Sequence, residues 1–136
     1  MKVWIALLMA LSLPLLAQAE EDEKAEGEAA PVVAYVSLFP ALVGNFGTGP
    51  KLKFFKADIS LRVASAEAEA AVKHHDPLIR NQLVMLFSEQ TEASMAAADA
   101  KELLRQQALK QVQDVLTAEE GKPLVEDLLF NNLIIQ

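Results

Sequence analysis

The chain contains no cysteine, which excludes disulfides and thiolate metal sites and leaves any folded domain to stand on packing alone. Histidine is nearly as scarce. The two present, His74 and His75, are adjacent, and neighbouring helical positions point about 100° apart, so the pair cannot hold one ion on one face. They read as solvent-facing residues at a helix end. Basic residues are outnumbered, 12 against 19 acidic, for a net charge of −7 over 136 residues. A balance of that sign gives no electrostatic case for nucleic acid or for an anionic membrane surface. No serine or cysteine stands in a recognisable nucleophile motif. The groups that hydrolysis could otherwise use, His74, His75, Asp76 and Asp58, therefore have nothing to activate, and an enzyme is rejected. Cofactor motifs are missing too. The glycine-rich Val43 to Pro50 (VGNFGTGP) lacks a Gly-Lys-Ser/Thr and precedes a strand, so it does not form a phosphate cradle.

Long apolar runs are also absent. From Val3 to Ala17 there are fifteen residues, interrupted by Ser12 and Pro14, whereas crossing hydrocarbon takes about twenty. Lys2 before this run and Ala17-Gln18-Ala19 after it have the form of a signal peptide, cleaved between Ala19 and Glu20. The alternative is an uncleaved inner-membrane anchor with the domain facing the periplasm. A lipoprotein is excluded because there is no cysteine to acylate. Glu20 to Pro31 (EEDEKAEGEAAP) carries six acids and no large apolar side chain, the composition of a solvated linker. The expected division is a signal peptide over 1–19, a linker over 20–31 and one exported, periplasmic domain over 32–136. Without the first 19 residues, the remaining 117 carry 11 basic and 19 acidic side chains, or −8.

The last stretch, Leu124 to Gln136 (LVEDLLFNNLIIQ), is too apolar to be left in water, at roughly 1.5–3 kcal/mol for each large side chain. Read by alternation, Leu124, Leu128, Phe130 and Ile134 share one face, and Val125, Leu129, Leu133 and Ile135 the other. Two apolar faces suit a strand inside a sheet covered on both sides, or one covered by a partner; a helix is the alternative, against which the two asparagines and the β-branched end speak. Val32 to Leu38 is a first strand closed by Pro40. Lys51 to Val63 is a second, in which Phe55, Ala57, Ile59, Leu61 and Val63 alternate with Lys56, Asp58, Ser60 and Arg62. Leu52 and Phe54 fall outside that apolar face, where they cover a loop or form a contact surface.

Between the second and last strands the period is helical. Ser65 caps a helix over Ala66 to His74. Asp76 is placed to cap the next, with Pro77 at its first position and Leu78, Ile79, Leu83, Leu86 and Phe87 on its apolar face, while Arg80, Asn81 and Gln82 point to water. Ser88 to Asp99 forms a short helix or turn anchored by Met95. Asp99 and Glu102 have capping-box spacing at the head of the longest helix, which buries Leu104, Ala108, Leu109, Val112, Val115 and Leu116. Lys101, Arg105, Lys110 and Gln113 solvate its other side. Gly121 ends it and Pro123 prevents its resumption. The order β-β-α-α-α-β predicts an α+β domain, a small antiparallel or mixed sheet with helices packed on one face.

Four segments resemble the FliL family of flagellar basal-body proteins associated with the motor. They are the loop and long strand LFPALVGNFGTGPKLKFFKADISLRV, and the helix start Asp76-Pro77-Leu78-Ile79-Arg80-Asn81, similar to a "P-x-I-R-(D/N)" pattern. Asp99 to Arg105 is similar to "GK-x-x-LR", and the ending Val125 to Gln136 to "V-x-F-T-x-F-(I/V)-x-Q". Ala100 stands where the family has glycine and Asn131 where it has threonine, and an uncleaved transmembrane helix is usual in members. The resemblance implies a stomatin-like fold, assembly of copies into rings, and a non-enzymatic role in motility. That role is to stabilise the stator units of the motor by contacting their periplasmic linker. Leu52, Phe54, Leu129, Leu133 and Ile135 are the candidate interaction residues, in a homo-oligomer without cofactor, metal, nucleic acid or small-molecule substrate. The competing reading is a soluble periplasmic binding or chaperone-like module with no flagellar role.

Overall fold

A computed structural model describes residues 33–136; the expected signal peptide, its Ala19/Glu20 junction and the acidic linker lie outside the described residues. Three strands, β1 (Ala34–Phe46), β2 (Lys53–Val63) and β3 (Val125–Ile135), form one antiparallel sheet in the order β1-β2-β3. Four helices intervene between β2 and β3: α1 (Ala66–His74), α2 (Asp76–Ser88), the five-residue α3 (Glu92–Ala96) and α4 (Ala100–Glu120). The α+β class, the single helical layer and the return of the last strand to the sheet agree with the sequence reading. The core lies between sheet and helices, where Leu42, Ile59 and Leu61 meet Ile79 and Leu83 of α2 and Val112 and Leu116 of α4, all at most 1% exposed.

β1 does not end at Pro40. It continues to Phe46 through a two-residue bulge, with Leu38 opposite Ile59 and Leu42 opposite Ala57. Proline is tolerated there because β1 is an edge strand and the missing N–H need not face a partner. Two extra residues also preserve parity, so Val36, Leu38, Leu42 and Phe46 all point inward.

β3 behaves differently. One extra residue sits between Phe130 and Asn132 and another between Val125 and Asp127, each opposite a single step of β2. Each such bulge exchanges the faces. The strict alternation expected for this stretch is therefore wrong. Val125, Leu128, Phe130, Leu133 and Ile135 stand opposite Val63, Leu61, Ile59, Ala57 and Phe55 on the helix side, while Leu129 and Ile134 pair with Ser60 and Lys56 on the outer side. Nor is β3 an interior strand covered on both sides. It is the second edge, with helices on one face only among the described residues.

The helix ends follow local chemistry, with two corrections. Ser65 Oγ accepts the Ala68 N–H at 3.0 Å, as expected for α1. Asp76, however, is the first residue of α2 rather than its cap; His75 takes the cap position and makes no side-chain capping bond. Asp99 likewise caps α4 without a side-chain bond, and Glu102 turns to Arg105 and Gln106 instead of back to the cap. The reciprocal capping box is on α3, between Thr91 and Ser94. Gly121 closes α4 at φ +78, a left-handed conformation that glycine adopts without Cβ strain.

Candidate interaction surface

Among the described residues, no helix covers the outer face of the sheet. Along β1 it presents Tyr35, Phe39 and Val43, at 53%, 87% and 63% exposure, and next to them Phe54 of β2 at 51%. Ile134 of β3 completes an apolar strip near the β1–β2 hairpin end, and Leu52 in the turn is 64% exposed. Away from the hairpin end the face carries a polar row. Ser60, nearly buried, accepts a bond from Asn131 Nδ2 at 2.6 Å and lies 3.1 Å from Ser37 Oγ, so one polar row ties all three strands together. The Asn131 in this row is the extra residue of the first β3 bulge.

Further along, Arg62 donates to Glu126 from Nε at 3.2 Å and Nη2 at 3.0 Å. The Glu126 carboxylate, through these hydrogen bonds, holds the Arg62 guanidinium above the usual arginine value. Exposed pairs of this kind fix geometry more than they add stability.

Helix side chains read as solvent-facing instead hold the strand irregularities in place. Arg80 Nη1 donates to the Pro40 carbonyl at 2.6 Å, fixing the β1 bulge. Arg105 Nη1 donates to Asp127 Oδ1 at 2.6 Å beside the second β3 bulge, while its Nε and Nη2 grip Glu102. Those bonds pull the Glu102 carboxyl well below its ordinary range, to about 2, and the pair raises the Arg105 guanidinium. Gln113 Nε2 satisfies the Val125 carbonyl at 2.9 Å. His75, too, is turned inward. Its Nε2 lies 2.7 Å from Glu120 Oε1 and its side chain is only 14% exposed, so it joins the α1–α2 junction to the end of α4. His74 remains exposed, and Asp58 and Asp76 lie on different elements, half-buried, with no nucleophile between them.

The five interaction residues proposed from sequence do not share one surface. Leu52 and Phe54 lie exposed at the hairpin end, and Leu129 is half-buried on the outer face. Leu133 packs against the core, and Ile135 lines a groove of about 400 Å³ with Phe46, Lys53, Glu92 and Met95 on the helix side. Phe39 and Val43, which alternation past Pro40 could have indicated, belong to the same face as Phe54.

The segments that carry the family pattern thus have structural duties: Pro77 opens α2, Ile79 fills the core, and Arg80 and Arg105 secure the bulges of the two edge strands. Comparison with known proteins agrees with the pattern. The family model described as "Flagellar basal body-associated protein FliL" matches residues 35–136. The flagellar protein FliL of Escherichia coli K12 is 24% identical over 144 residues, spanning 98% of this chain and 92% of its own length. The FliL protein of Aquifex aeolicus is 27% identical over 114 residues, spanning 83% of this chain and 68% of its own. The chain belongs to the FliL family of flagellar basal body-associated proteins, a family of flagellar accessory proteins rather than of enzymes.

Proposed function

We propose that the protein acts in the periplasm as a self-associating accessory of the flagellar basal body, contacting the stator units and supporting motility. The observation that carries this reading is the uncovered outer face, where Phe39, Val43 and Phe54 are each more than half exposed. Contiguous apolar surface of this kind marks protein contacts. The edges are a poorer route to assembly. Both edge strands are bulged, which breaks the flat row of unpaired backbone groups that sheet-to-sheet pairing needs. Association therefore runs through the face, with Phe54 and Leu52 at its margin.

The test is sedimentation of the intact protein and of Phe54→Ser. Phe54 is half in solvent, so its loss leaves folding nearly unchanged and weakens self-association. A variant that folds and associates like the parent removes Phe54 from the contact. For export, we propose cleavage between Ala19 and Glu20, releasing the linker and the domain beginning at residue 32. The intact mass in the periplasmic fraction then corresponds to a chain starting at Glu20. A full-length mass in the membrane fraction establishes the uncleaved anchor instead.

A further inference from the structure

Two methionines lie among the described residues, in opposite situations. Met85 of α2 is 49% exposed, its sulfur 3.7 Å from Asn81 Nδ2. Met95 of α3 is half-buried and packs against the core. No residue of α3 is buried, and Met95 is its one side chain that reaches the core cluster. The helix is closed on itself by the Thr91–Ser94 capping box and by the Met95 N–H, which donates to the Thr91 carbonyl at 3.0 Å. Among the described residues, no side-chain hydrogen bond or ion pair joins α3 to the sheet or to α4. Its flanks, by contrast, are fixed. Just before it the Gly47 N–H donates to the Gln90 carbonyl at 3.1 Å, and just after it Ala100 is buried at the head of α4. α3 is thus a strap tied at both ends and held down in the middle by one thioether side chain.

Behind Met95 the surroundings are hydrocarbon. With Phe46, Phe55, Phe87, Leu104 and Leu133 it lines a cavity of about 10 Å³, at the threshold of about 10–15 Å³ needed to admit a water. Gln90, the polar side chain there, already donates to the Leu86 carbonyl and accepts from Ser94 Oγ. In front, Met95 lines the groove of about 400 Å³ beside Lys53 and Glu92, through which a peroxide has access. We propose that Met95 is an oxidation site, and that its conversion to the sulfoxide by a peroxide releases α3 from the domain. The thioether sulfur attacks one peroxide oxygen, and an S–O bond forms as the O–O bond breaks. The departing hydroxide takes the proton of the transferred oxygen and leaves as water, so sulfur is oxidised and the peroxide reduced. The product side chain is polar and chiral, which disrupts apolar packing. Burying its oxygen against hydrocarbon without a partner raises the frequency of opening on the order of tenfold to a hundredfold. Opening uncovers Phe46, Phe87 and Leu133 on the helix side. The outer sheet face has no methionine and stays as it was, so this inference stands apart from self-association.

The test treats the full chain with hydrogen peroxide and locates the added oxygen by peptide mass spectrometry. Hydrogen exchange is followed at the Ser94 and Met95 amides, both bonded inside α3. The more exposed Met85 should be converted first, without effect on those amides. Conversion of Met95 should then speed their exchange by roughly tenfold to a hundredfold, while the amides of α4 from Leu104 to Leu116 keep their protection. A methionine sulfoxide reductase should restore the slow rates. Met95→Leu, which conserves volume, should fold like the parent and give no response to peroxide, whereas Met85→Leu should respond in full. Met95→Gln should exchange fast with no peroxide present. Three results overturn the proposal: Met95 left unmodified once Met85 is fully converted, a Met95 sulfoxide with unchanged exchange, or a Met95→Leu variant that responds like the parent. Loss of protection throughout α2 and α4 on oxidation of Met95 also overturns it, because α3 would then open only with the whole core.

Discussion

Gly44 has a role that its side-chain-free position makes measurable. It lies opposite Phe55 in the β1–β2 ladder, and a Cβ built on it would meet Phe55 Cζ at 2.7 Å and Cε1 at 2.8 Å. The ring cannot swing aside freely. Phe55 is 3% exposed and packs edge-on against Phe87 at 5.3 Å, and Phe87 in turn lies 6.1 Å from Phe130. Gly44→Ala therefore overpacks a tethered aromatic cluster, at a cost of about 1–3 kcal/mol. Against this stands a gain of about 0.4–1 kcal/mol from the stiffer unfolded chain. The net expectation is destabilisation of about 1–2 kcal/mol, or a fall in Tm of roughly 5–15 °C for a domain of this size. Urea unfolding followed by circular dichroism measures it. Phe55→Leu, which removes the clashing atoms and costs roughly 1 kcal/mol alone, should partly relieve the alanine, leaving the double variant about 1 kcal/mol more stable than additivity requires. A neutral Gly44→Ala, or strict additivity with Phe55→Leu, would refute the reasoning.

Three further expectations test other joints. Glu102 is held down to about 2 by its bonds from Arg105. A carboxylate with a lowered folded value adds stability above its unfolded value near 4.5 and loses it as pH falls towards 2. Melting curves of Glu102→Gln should accordingly show a shallower loss over that window than the parent, and identical slopes would contradict the pairing. Arg80→Met should cost about 0.5–1.5 kcal/mol through the lost bond to the Pro40 carbonyl, with hydrogen exchange accelerated around the β1 bulge before it changes elsewhere. Gly121→Ala meets no atom within 4 Å, so its expected cost of about 1 kcal/mol arises from the left-handed φ of +78 alone; an unchanged denaturation midpoint would show that α4 can end another way.

What the sequence made legible is what depends on period and local capping. β2 declares itself by strict alternation, α2 and α4 by their apolar stripes, α1 by Ser65 and the end of α4 by Gly121. Non-local geometry stayed hidden. Pro40 reads as a strand end because it removes a donor, and only the edge position of β1 shows why that is harmless. One-residue bulges in β3 reverse the faces without any glycine or proline to announce them, which is why Leu133 and Ile135 were grouped with Leu129. Arg80, Arg105, Gln113 and His75 have the polarity of solvated helix positions, yet each finds a partner 40, 22, 12 and 45 residues away.

The most direct test of the account is swimming. A strain lacking the gene is complemented with the parent and with Val43→Asp/Phe54→Asp, both positions being more than half exposed on the outer face. The account predicts a variant that melts like the parent and reaches normal abundance but restores little motility. Full swimming by that variant, at matched abundance, would contradict the assignment of the outer face as the working surface.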